Sequence, residues 1–339
     1  MRMGQNPAKA GIKAWQPHRL GIGIISYVPN QSGYFEESLQ IIKIEIASLR
    51  RHTSEAFDLY LFDNGSSTEV QSELIKLNQS GAIDFLTLSH HNIGKFGAMN
   101  WLIASMTNEW IGYTDSDFYF RENWLQESLK LVEAFPDAGL VTAQPNIFDQ
   151  LEGKSKALTA VDPEKVNVYE QLLETDVIED YCRGIGATEE MGQKYLAQKS
   201  TLLENKSSGV KAVFGATTAQ YLAPQEKIQQ VFPMPHEFLI AREEDNELNR
   251  RIDAKGWLEL STLRPLVVHM GNHLDELIAA EAKEAGLFAG NVIERASTET
   301  HKNNPAWRML VVFNRVSFLR KLFKRLYVNL FELYSIEKK

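Results

Sequence analysis

Hydrophobic residues along the first part of the chain follow two different periods. Leu20–Val28 is a short apolar run with β-branched members that ends at Pro29, which predicts a buried strand. A second strand is predicted at Leu59–Phe62. Between them, apolar side chains recur at spacings of four and three, as on one face of a helix: Phe35, Leu39, Ile42, Ile46 and Leu49.

The same alternation continues to about residue 143. Further helices are predicted around 70–77, 95–106 and 125–132, and further strands at 83–88, 110–113 and 139–143. Regular β-α alternation predicts an α/β fold with a mostly parallel sheet and helices on both faces. Ligands of such sheets bind beyond the carboxyl ends of the strands. Asp63 and Asp115–Asp117 follow predicted strands, so we expect them to face one crevice.

The rest of the chain divides by composition. Residues 1–18 are polar and predict a loose tail, and residues 150–208 are charged without strand-like runs, which predicts a helical insertion over or beside the site. Strands are predicted again at 210–214, 257–263 and 266–270. From residue 274 the pattern is helical. We therefore predict one α/β domain at 19–273, followed by a helical extension at 274–339.

Composition excludes some classes of function. The formal net charge of -8 argues against non-specific nucleic-acid binding. Cys182 is the only cysteine, so no intramolecular disulfide can form and a reducing, cytoplasmic setting is expected. The first residues lack the apolar core of a secretion signal, and no apolar stretch is long enough to span a bilayer.

The C-terminal segment has the opposite charge from the remainder. Residues 306–339 carry eight Lys and Arg against two Glu. Four of these basic residues lie mostly across a predicted helix from its apolar stripe: Arg320, Lys321, Lys324 and Arg325. Such a helix fits peripheral contact with the anionic inner face of a membrane. Docking on the domain or on another subunit fits equally well.

Two carboxylates one residue apart follow a predicted strand, in Asp115-Ser116-Asp117. Mg²⁺ or Mn²⁺ bound to a nucleotide takes few protein ligands, mainly carboxylates, together with phosphate oxygens. The pattern therefore fits a metal site, although a solvated turn has the same composition.

Two further segments fit a nucleotide. Asp63 ends a strand and could accept a hydrogen bond from the ring N–H of uracil or guanine, or could simply form a turn. Asn92 and Gly94 lead into a predicted helix whose first residues include Lys95. Backbone N–H groups and a lysine there would suit a diphosphate, whereas Asn92 as a helix cap and Lys95 as a surface charge are the alternatives.

The last two segments carry an acidic cluster and a histidine. Glu243–Glu247 opens a predicted helix, where acids either stabilise the N-terminus or supply an ionised general base for a hydroxyl. His269 ends a predicted strand and is either structural or a metal ligand.

The order of these motifs, spanning residues 20–272, resembles that of glycosyltransferase family 2, which has the GT-A fold of nucleotide-diphospho-sugar transferases. The motifs in order are Tyr27-Val-Pro-Asn30, Asp63-Asn-Gly-Ser66, Asn92-x-Gly94-x-x-x-Ala98-x-Asn100, Asp115-x-Asp117, and Glu244-Asp245-x-x-Leu248-x-x-Arg251 followed by Gly256-Trp257. The resemblance implies that residues 19–273 form a GT-A catalytic domain.

The resemblance implies transfer of a sugar from a UDP- or GDP-linked donor to an acceptor hydroxyl, with inversion. Asp63 would contact the base, Asp115 would lie near the ribose or metal, and Asp117 would bind Mn²⁺ or Mg²⁺ at the diphosphate. Asp245 would be the general base, assisted by Glu244. Three further residues, Tyr27, Asn92 and Lys95, would belong to the donor site.

Two more roles follow from the resemblance. His269 would complete the metal site, and Phe214-Gly215-Ala216 resembles the segment of small residues that lines the donor-sugar and acceptor pocket. The acceptor would be a glycan, a lipid-linked sugar or a small molecule.

The chain also departs from the family pattern. Asn64 stands where an Asp is common, which argues against a metal or ribose role there. The Gln/Arg-x-x-Arg-Trp element of processive synthases is not evident, which favours a single transfer per encounter.

Three alternatives stay open at this point. A sugar-phosphate nucleotidyltransferase is expected to have a Gly-rich, Arg-containing loop after the first strand, and Ser26–Gly33 has one Gly and no Arg. A catalytically inactive binding or assembly protein would have no need of Asp117 and Asp245. A retaining transferase is the third, because the GT-A fold hosts both stereochemical outcomes.

Overall fold

The computed structural model describes residues 15–147, 155–235 and 242–287, with only the backbone of 242–245. Strands and helices alternate through its first part. They are β1 (Leu20–Ser26), α1 (Ser38–His52), β2 (Phe57–Asp63), α2 (Thr68–Gln79), β3 (Phe85–Leu88), α3 (Lys95–Ser105), β4 (Trp110–Asp115), β5 (Phe118–Phe120), α4 (Trp124–Ala134) and β6 (Ala138–Thr142). Each strand and helix predicted before residue 143 is present, with bounds shifted by a few residues.

The second part begins with helices and an antiparallel hairpin. Its elements are α5 (Lys156–Thr159), β7 (Val166–Leu172), α6 (Thr175–Gly184), α7 (Glu189–Ala197), β8 (Lys199–Asn205), β9 (Lys211–Phe214), β10 (Gln220–Pro224), α8 (Gln225–Val231), α9 (Arg242–Ala254), β11 (Leu258–Ser261), β12 (Val267–His269) and α10 (Glu276–Glu284).

The main sheet of the described residues has ten strands in the order β3-β2-β1-β4-β10-β6-β11-β9-β8-β7. Seven strands run in one direction, and only β7, β9 and β10 run in the other. The predicted α/β fold with a mostly parallel sheet is confirmed. A separate two-stranded sheet pairs β12 with β5 in antiparallel orientation.

Helices cover both faces of the sheet, as predicted. On one face, α1, α2 and α4 pack against strand residues such as Ile22 and Leu59. On the other, α3, α8 and α9 pack against neighbours such as Tyr60 and Tyr113. Adjacent residues of one strand therefore belong to opposite cores, which explains why β2 is buried along its whole length.

Two predictions of chain organisation need correction, and part of each segment lies outside the described residues. The segment 150–208 contains α5, α6 and α7 but also β7 and β8, so the prediction of helices alone was wrong. The predicted tail includes residues that are held: Trp15 packs against Phe85, and the His18 N–H donates to Asp58 at 2.8 Å. Residues 1–14 and 148–154 lie outside the described residues.

The boundary predicted at residue 273 does not separate α10 from the domain. Arg121 donates to Glu281 on α10 at 2.8 Å, and Ile278 and Ala282 of the same helix are buried. The remainder of the predicted extension, 288–339, lies outside the described residues, and so does the basic helix predicted at 306–339. Among the described helices, none has the length and apolar character needed to cross a bilayer.

Candidate functional site

The carboxyl ends of three neighbouring parallel strands bring the sequence-predicted residues together. The register pairs Ser26 of β1 with Asp63 of β2, and Ile25 of β1 with Asp115 of β4. The predicted strand ends therefore meet at one edge of the sheet, with β1 between the two aspartates. This is the edge at which ligands of open α/β sheets bind.

Asp63 is fully buried at this edge. Its Oδ1 accepts from the Ser26 hydroxyl at 3.1 Å, and its Oδ2 accepts from Gln71 Nε2 at 2.8 Å and from the Ser66 N–H at 3.1 Å. The carboxylate thus fixes the turn after β2 to β1 and α2. These contacts give Asp63 a structural role in addition to any contact with a base.

Asn64 holds the loop that leads into α3. Its side-chain NH₂ donates to Asn92 Oδ1 at 3.1 Å and to the Gly94 carbonyl at 3.3 Å, while its Oδ1 accepts from the Ile93 N–H at 2.8 Å. A carboxylate could not donate these bonds, because an ionised Asp is an acceptor only. The amide that departs from the family pattern is therefore explained by the loop that it binds.

Lys95 and Asp115 form an ion pair at the start of α3. Lys95 Nζ lies 2.9 Å from Asp115 Oδ2, and the Tyr113 hydroxyl donates to Asp115 Oδ1 at 2.6 Å. Burial raises the pKa of Asp115, and the charge of Asp117 adds to this effect while Lys95 opposes it. Both oxygens of Asp115 thus have protein partners, so a cation at Asp115 would compete with Lys95.

Asp117 and His269 form the second pair of the site. His269 Nε2 lies 3.0 Å from Asp117 Oδ2, and its Nδ1 lies 3.2 Å from the carbonyl oxygen of Gly184 at the end of α6. Both partners are acceptors, so both ring nitrogens must carry protons for both bonds to form. Burial lowers the pKa of His269, but the hydrogen bond and charge of Asp117 outweigh burial and raise it.

Gly184 permits the close approach of α6 to this histidine. A Cβ at Gly184 would lie 3.1 Å from the His269 carbonyl oxygen and 3.2 Å from Val268 Cγ1, closer than ordinary contacts. The region predicted as an insertion therefore orients His269 through its backbone. Sequence reasoning did not find this role.

A buried carboxyl lies behind the pair. Glu45 on α1 is fully buried, and its Oε1 accepts from the Thr114 hydroxyl at 2.9 Å. Burial raises the pKa of Glu45 well above its usual range, and the charge of Asp117 raises it further. The sequence offered a signal that was missed, because Glu45 lies three residues after Ile42 on the apolar face of α1.

The surroundings of the Asp117 side chain are suited to binding a cation. Its Oδ1 is buried and has no hydrogen-bond partner, which is costly for a carboxylate oxygen unless a cation binds it. Within the described residues no three His, Cys, Asp or Glu side chains converge as a metal-binding group. A metal here would therefore draw protein ligands from Asp117 and His269 and further ligands from elsewhere, as nucleotide-bound Mg²⁺ does.

The predicted catalytic acids lie in the first turn of α9, which begins at Arg242. The side chains of Glu244 and Asp245 lie outside the described residues. Residues 231–234, in the described part of the chain before α9, are held from two sides. Asn100 Nδ2 donates to the Met234 carbonyl at 2.9 Å, and Arg251 donates to the Val231 and Pro233 carbonyls at 2.8 Å each.

The two remaining predicted donor residues lie in loops that follow strands. Tyr27 follows β1 and packs edge-on against Phe35, with ring centroids 6.1 Å apart. Gly215 follows β9 with a φ of +109°, and a Cβ there would lie 2.4 Å from Asn146 Nδ2. The backbone conformation and this close approach both require glycine at that position.

Three solved structures are similar to part of this chain. They are the mannosyltransferase PcManGT from Pyrobaculum calidifontis in complex with GDP-Man and Mn²⁺ (14% identity, TM-score 0.42, 73% of this chain and 55% of that chain), S. aureus TarS 1-349 (11%, 0.39, 72% and 58%) and GalNAc-T7 with UDP, GalNAc and Mn²⁺ (12%, 0.43, 74% and 42%). The present chain therefore covers between 42% and 58% of the length of these three proteins.

No curated protein matches the chain at the sequence level. The model of glycosyl transferase family 2 matches residues 34–189. The matched residues include the motifs at Asp63, Asn92–Asn100 and Asp115–Asp117, and they end before α9 and β12. The resemblance to glycosyl transferase family 2 is therefore supported over residues 34–189, which contain three of the five motifs.

Proposed function

We propose that the protein is a metal-dependent glycosyltransferase that moves a sugar from a nucleoside-diphosphate donor to an acceptor hydroxyl. The observation that carries the proposal is the pairing of Asp117 with His269, beside the Lys95–Asp115 ion pair. Asp117, Lys95 and Asp115 lie within the residues that the family model matches, and His269 lies after them. The buried Asp117 Oδ1 without a hydrogen-bond partner supports a cation at this position.

Asp117 and His269 would hold Mn²⁺ or Mg²⁺. When bound, the metal would neutralise charge on the departing nucleoside diphosphate. Asp117 would supply a carboxylate oxygen and neutral His269 would supply Nε2, while Nδ1 would donate to the Gly184 carbonyl and hold the ring in place. Lys95, at the first turn of α3, would bind a phosphate oxygen at a helix N-terminus.

The transfer would proceed with inversion. Asp245 would take the proton of the acceptor hydroxyl, whose oxygen attacks the anomeric carbon as the bond from that carbon to the diphosphate oxygen breaks. The electron pair of the broken bond would leave with the nucleoside diphosphate. Glu244 would orient Asp245, the general base. Asp63, at the end of β2, would contact the base of the nucleotide. Tyr27 and Gly215 would line the donor site.

Thermal unfolding with a panel of UDP- and GDP-sugars, each with and without Mn²⁺, tests the proposal. We expect one nucleotide class to raise Tm only when Mn²⁺ is present. If no nucleotide sugar raises the Tm of folded protein under either condition, the transferase proposal is wrong and a binding or assembly role is favoured. The cytoplasmic location and the contact of residues 306–339 with an anionic membrane stay predictions from the sequence.

A further inference from the structure

Arg121, which directly follows β5, uses every donor of its partly buried side chain. Nε and Nη2 donate to the two oxygens of Glu281 at 2.9 and 2.8 Å. Nη1 and Nη2 donate to the two oxygens of Asp180 at 2.5 and 3.3 Å, and Nη1 also donates to the Pro265 carbonyl at 3.0 Å. The five N–H groups of the guanidinium therefore all have partners, in two forked pairs and one single bond.

The partners of Arg121 belong to three different segments. Asp180 lies on α6, Glu281 lies on α10, and Pro265 lies just before β12. The main chain of Arg121 adds a second bond to the last segment, because its N–H donates to the Leu266 carbonyl at 2.9 Å. One residue at the end of β5 is therefore bound to α6, to α10 and to the start of β12.

The contact with α6 leads to the histidine of the proposed metal site. Asp180 lies one helical turn before Gly184, the last residue of α6. The Gly184 carbonyl oxygen lies 3.2 Å from His269 Nδ1. The last carbonyls of a helix lack partners within the helix and form its negative end, so this one can accept from the imidazole. The position of the last turn of α6 therefore sets the geometry of the bond to His269.

The Arg121–Asp180 pair is suited to fixing that turn. The side chains of Arg121 and Asp180 are only 24% and 15% exposed, so the pair is shielded from water. Arg264 binds the opposite end of α6 through a side chain that is 60% exposed, and exposed ion pairs contribute little. Ile178 and Tyr181 pack α6 onto the domain, but apolar packing is not directional.

We propose that Arg121 is a positioning residue for the metal site. Through Asp180 it fixes the last turn of α6. The Gly184 carbonyl of that turn then holds the His269 ring with Nε2 facing Asp117, 3.0 Å away. The proposal rests on the function proposed above for the metal, whereas the orientation of the ring can be measured without metal.

NMR on the metal-free, ¹⁵N-labelled full chain tests the orientation of the ring. The measured quantity is the exchange of the His269 Nδ1–H with water at one fixed pH, and His269→Gln identifies the signal by its loss. A hydrogen bond to the Gly184 carbonyl slows this exchange. We expect Arg121→Lys and Asp180→Asn each to speed it at least fivefold, because an ammonium has three donors in place of five and an amide cannot accept at both of its atoms.

Calorimetry with Mn²⁺ alone, without nucleotide, tests the consequence for the metal. Loss of a group that orients a metal-binding histidine typically lowers metal affinity about 10–100-fold. We therefore expect Mn²⁺ affinity to fall about tenfold or more in Arg121→Lys and in Asp180→Asn. Should Arg121→Lys fail to fold, Asp180→Asn, which keeps the shape of the side chain, carries the test.

Two controls separate positioning from a general loss of stability. Arg50 on α1 likewise donates to one carboxylate and two main-chain carbonyls, but these belong to β2 and to the segment before β3. Arg50→Lys should lower the free energy of unfolding in denaturant and leave ring exchange and Mn²⁺ affinity unchanged. Glu281→Gln alters the other carboxylate bound by Arg121, on α10 in place of α6, and should change both quantities less than twofold.

Four outcomes would overturn the proposal. In the first, wild type has no slowly exchanging His269 ring N–H. In the second, Asp180→Asn exchanges like wild type. In the third, Arg50→Lys alters exchange and affinity as much as Arg121→Lys, which would leave Arg121 a role in stability alone. In the fourth, wild type binds Mn²⁺ and both Arg121→Lys and Asp180→Asn bind it as tightly. If wild type binds no Mn²⁺, the metal site proposed above is refuted, and ring exchange alone decides whether Arg121 positions His269.

Discussion

Asp117 and His269 are brought within 3.0 Å of each other by the small two-stranded sheet. Asp117 directly precedes β5 and His269 ends β12, and the antiparallel register pairs His269 with Phe118. The Met270 N–H also donates to the Asp117 carbonyl at 2.7 Å. Backbone pairing therefore fixes the main-chain positions from which the two side chains meet.

Asp117→Asn should abolish metal-dependent donor binding. The amide keeps the shape of the side chain but removes the charge and one of the two oxygens available to the cation. We expect the Mn²⁺-dependent part of the Tm shift with the binding nucleotide sugar to disappear, and metal affinity measured by calorimetry to fall at least tenfold.

Asp137→Asn is the matched control, since Asp137 is exposed and lies between α4 and β6, away from the metal site. It should retain the full Mn²⁺-dependent shift. An Asp117→Asn protein that binds Mn²⁺ and donor as tightly as the control would contradict the metal assignment.

His269 should make stability and metal binding depend on pH in opposite directions. Its pKa in the folded protein is raised above the ordinary value of 6.5. In metal-free protein the ion pair with Asp117 is therefore fully present below pH 6.5 and is lost as the pH rises through the folded pKa. The Tm difference between wild type and His269→Gln should be larger at about pH 6 than at about pH 9.

Metal binding should show the reverse trend, because a ligating imidazole must be neutral. The Mn²⁺-induced Tm gain of wild type should increase from pH 6 to pH 8, and the gain of His269→Gln should be smaller and less dependent on pH. Equal pH dependence in both proteins would mean that His269 neither pairs with Asp117 nor binds the metal.

The positions of the strand ends could be predicted from the sequence because apolar periodicity places each strand. Asp63 ends β2 and Asp115 ends β4 of one β-α series, so the pattern predicts parallel strands whose carboxyl ends share an edge. Asp117–His269 could be suggested only through the family resemblance, since the two residues meet through β5 and β12. A strand of three residues such as β5 has too few positions to show a period.

In the antiparallel half of the sheet, β9 and β11 were predicted from the sequence, whereas β7, β8 and β10 were not. β7 pairs with β8 across a connection that contains α6 and α7, and β7 is an edge strand whose residues are largely exposed. Glu170 is the only charged residue of β7, so the strand was concealed by the charged composition of the segment 150–208 around it. The Arg121 contacts to α6 and α10 are equally invisible in sequence, because they join distant segments through side-chain geometry.

Asn64→Asp should weaken donor binding through the loop before α3. The substitution places a carboxylate against Asn92 Oδ1 and the Gly94 carbonyl, which both accept hydrogen bonds from the present amide. Loss of these bonds and the repulsion between acceptors should cost about 1–3 kcal/mol. Chemical denaturation measures this loss, and donor titration at saturating Mn²⁺ should show a higher Kd.

Asn64→Ala provides the comparison, because it removes the same bonds without adding a charge. We expect Asn64→Asp to be at least as damaging as Asn64→Ala. Wild-type stability and donor affinity in Asn64→Asp would show that the loop does not depend on the amide.

Glu259→Gln should stabilise the protein at high pH. Glu259 on β11 is buried, its Oε1 has no hydrogen-bond partner, and burial raises its pKa to about 8 from an ordinary 4.5. Between these values the unfolded chain loses a proton that the folded protein keeps, so stability falls as the pH rises. The variant should gain several degrees of Tm at pH 8 and almost none at pH 4, whereas exposed Glu133→Gln should change neither value.

Asp245→Asn should separate donor binding from transfer. If Asp245 removes the proton of the acceptor hydroxyl, the amide cannot replace it, and turnover should fall about 10²–10⁴-fold while the Mn²⁺-dependent Tm shift with the donor is retained. Glu244→Gln should reduce turnover less, because Glu244 would only orient the base. Turnover is measured as release of nucleoside diphosphate in the presence of acceptor sugars. Near-normal turnover in Asp245→Asn would assign the base to another residue, whereas loss of the donor shift would place Asp245 in the donor site.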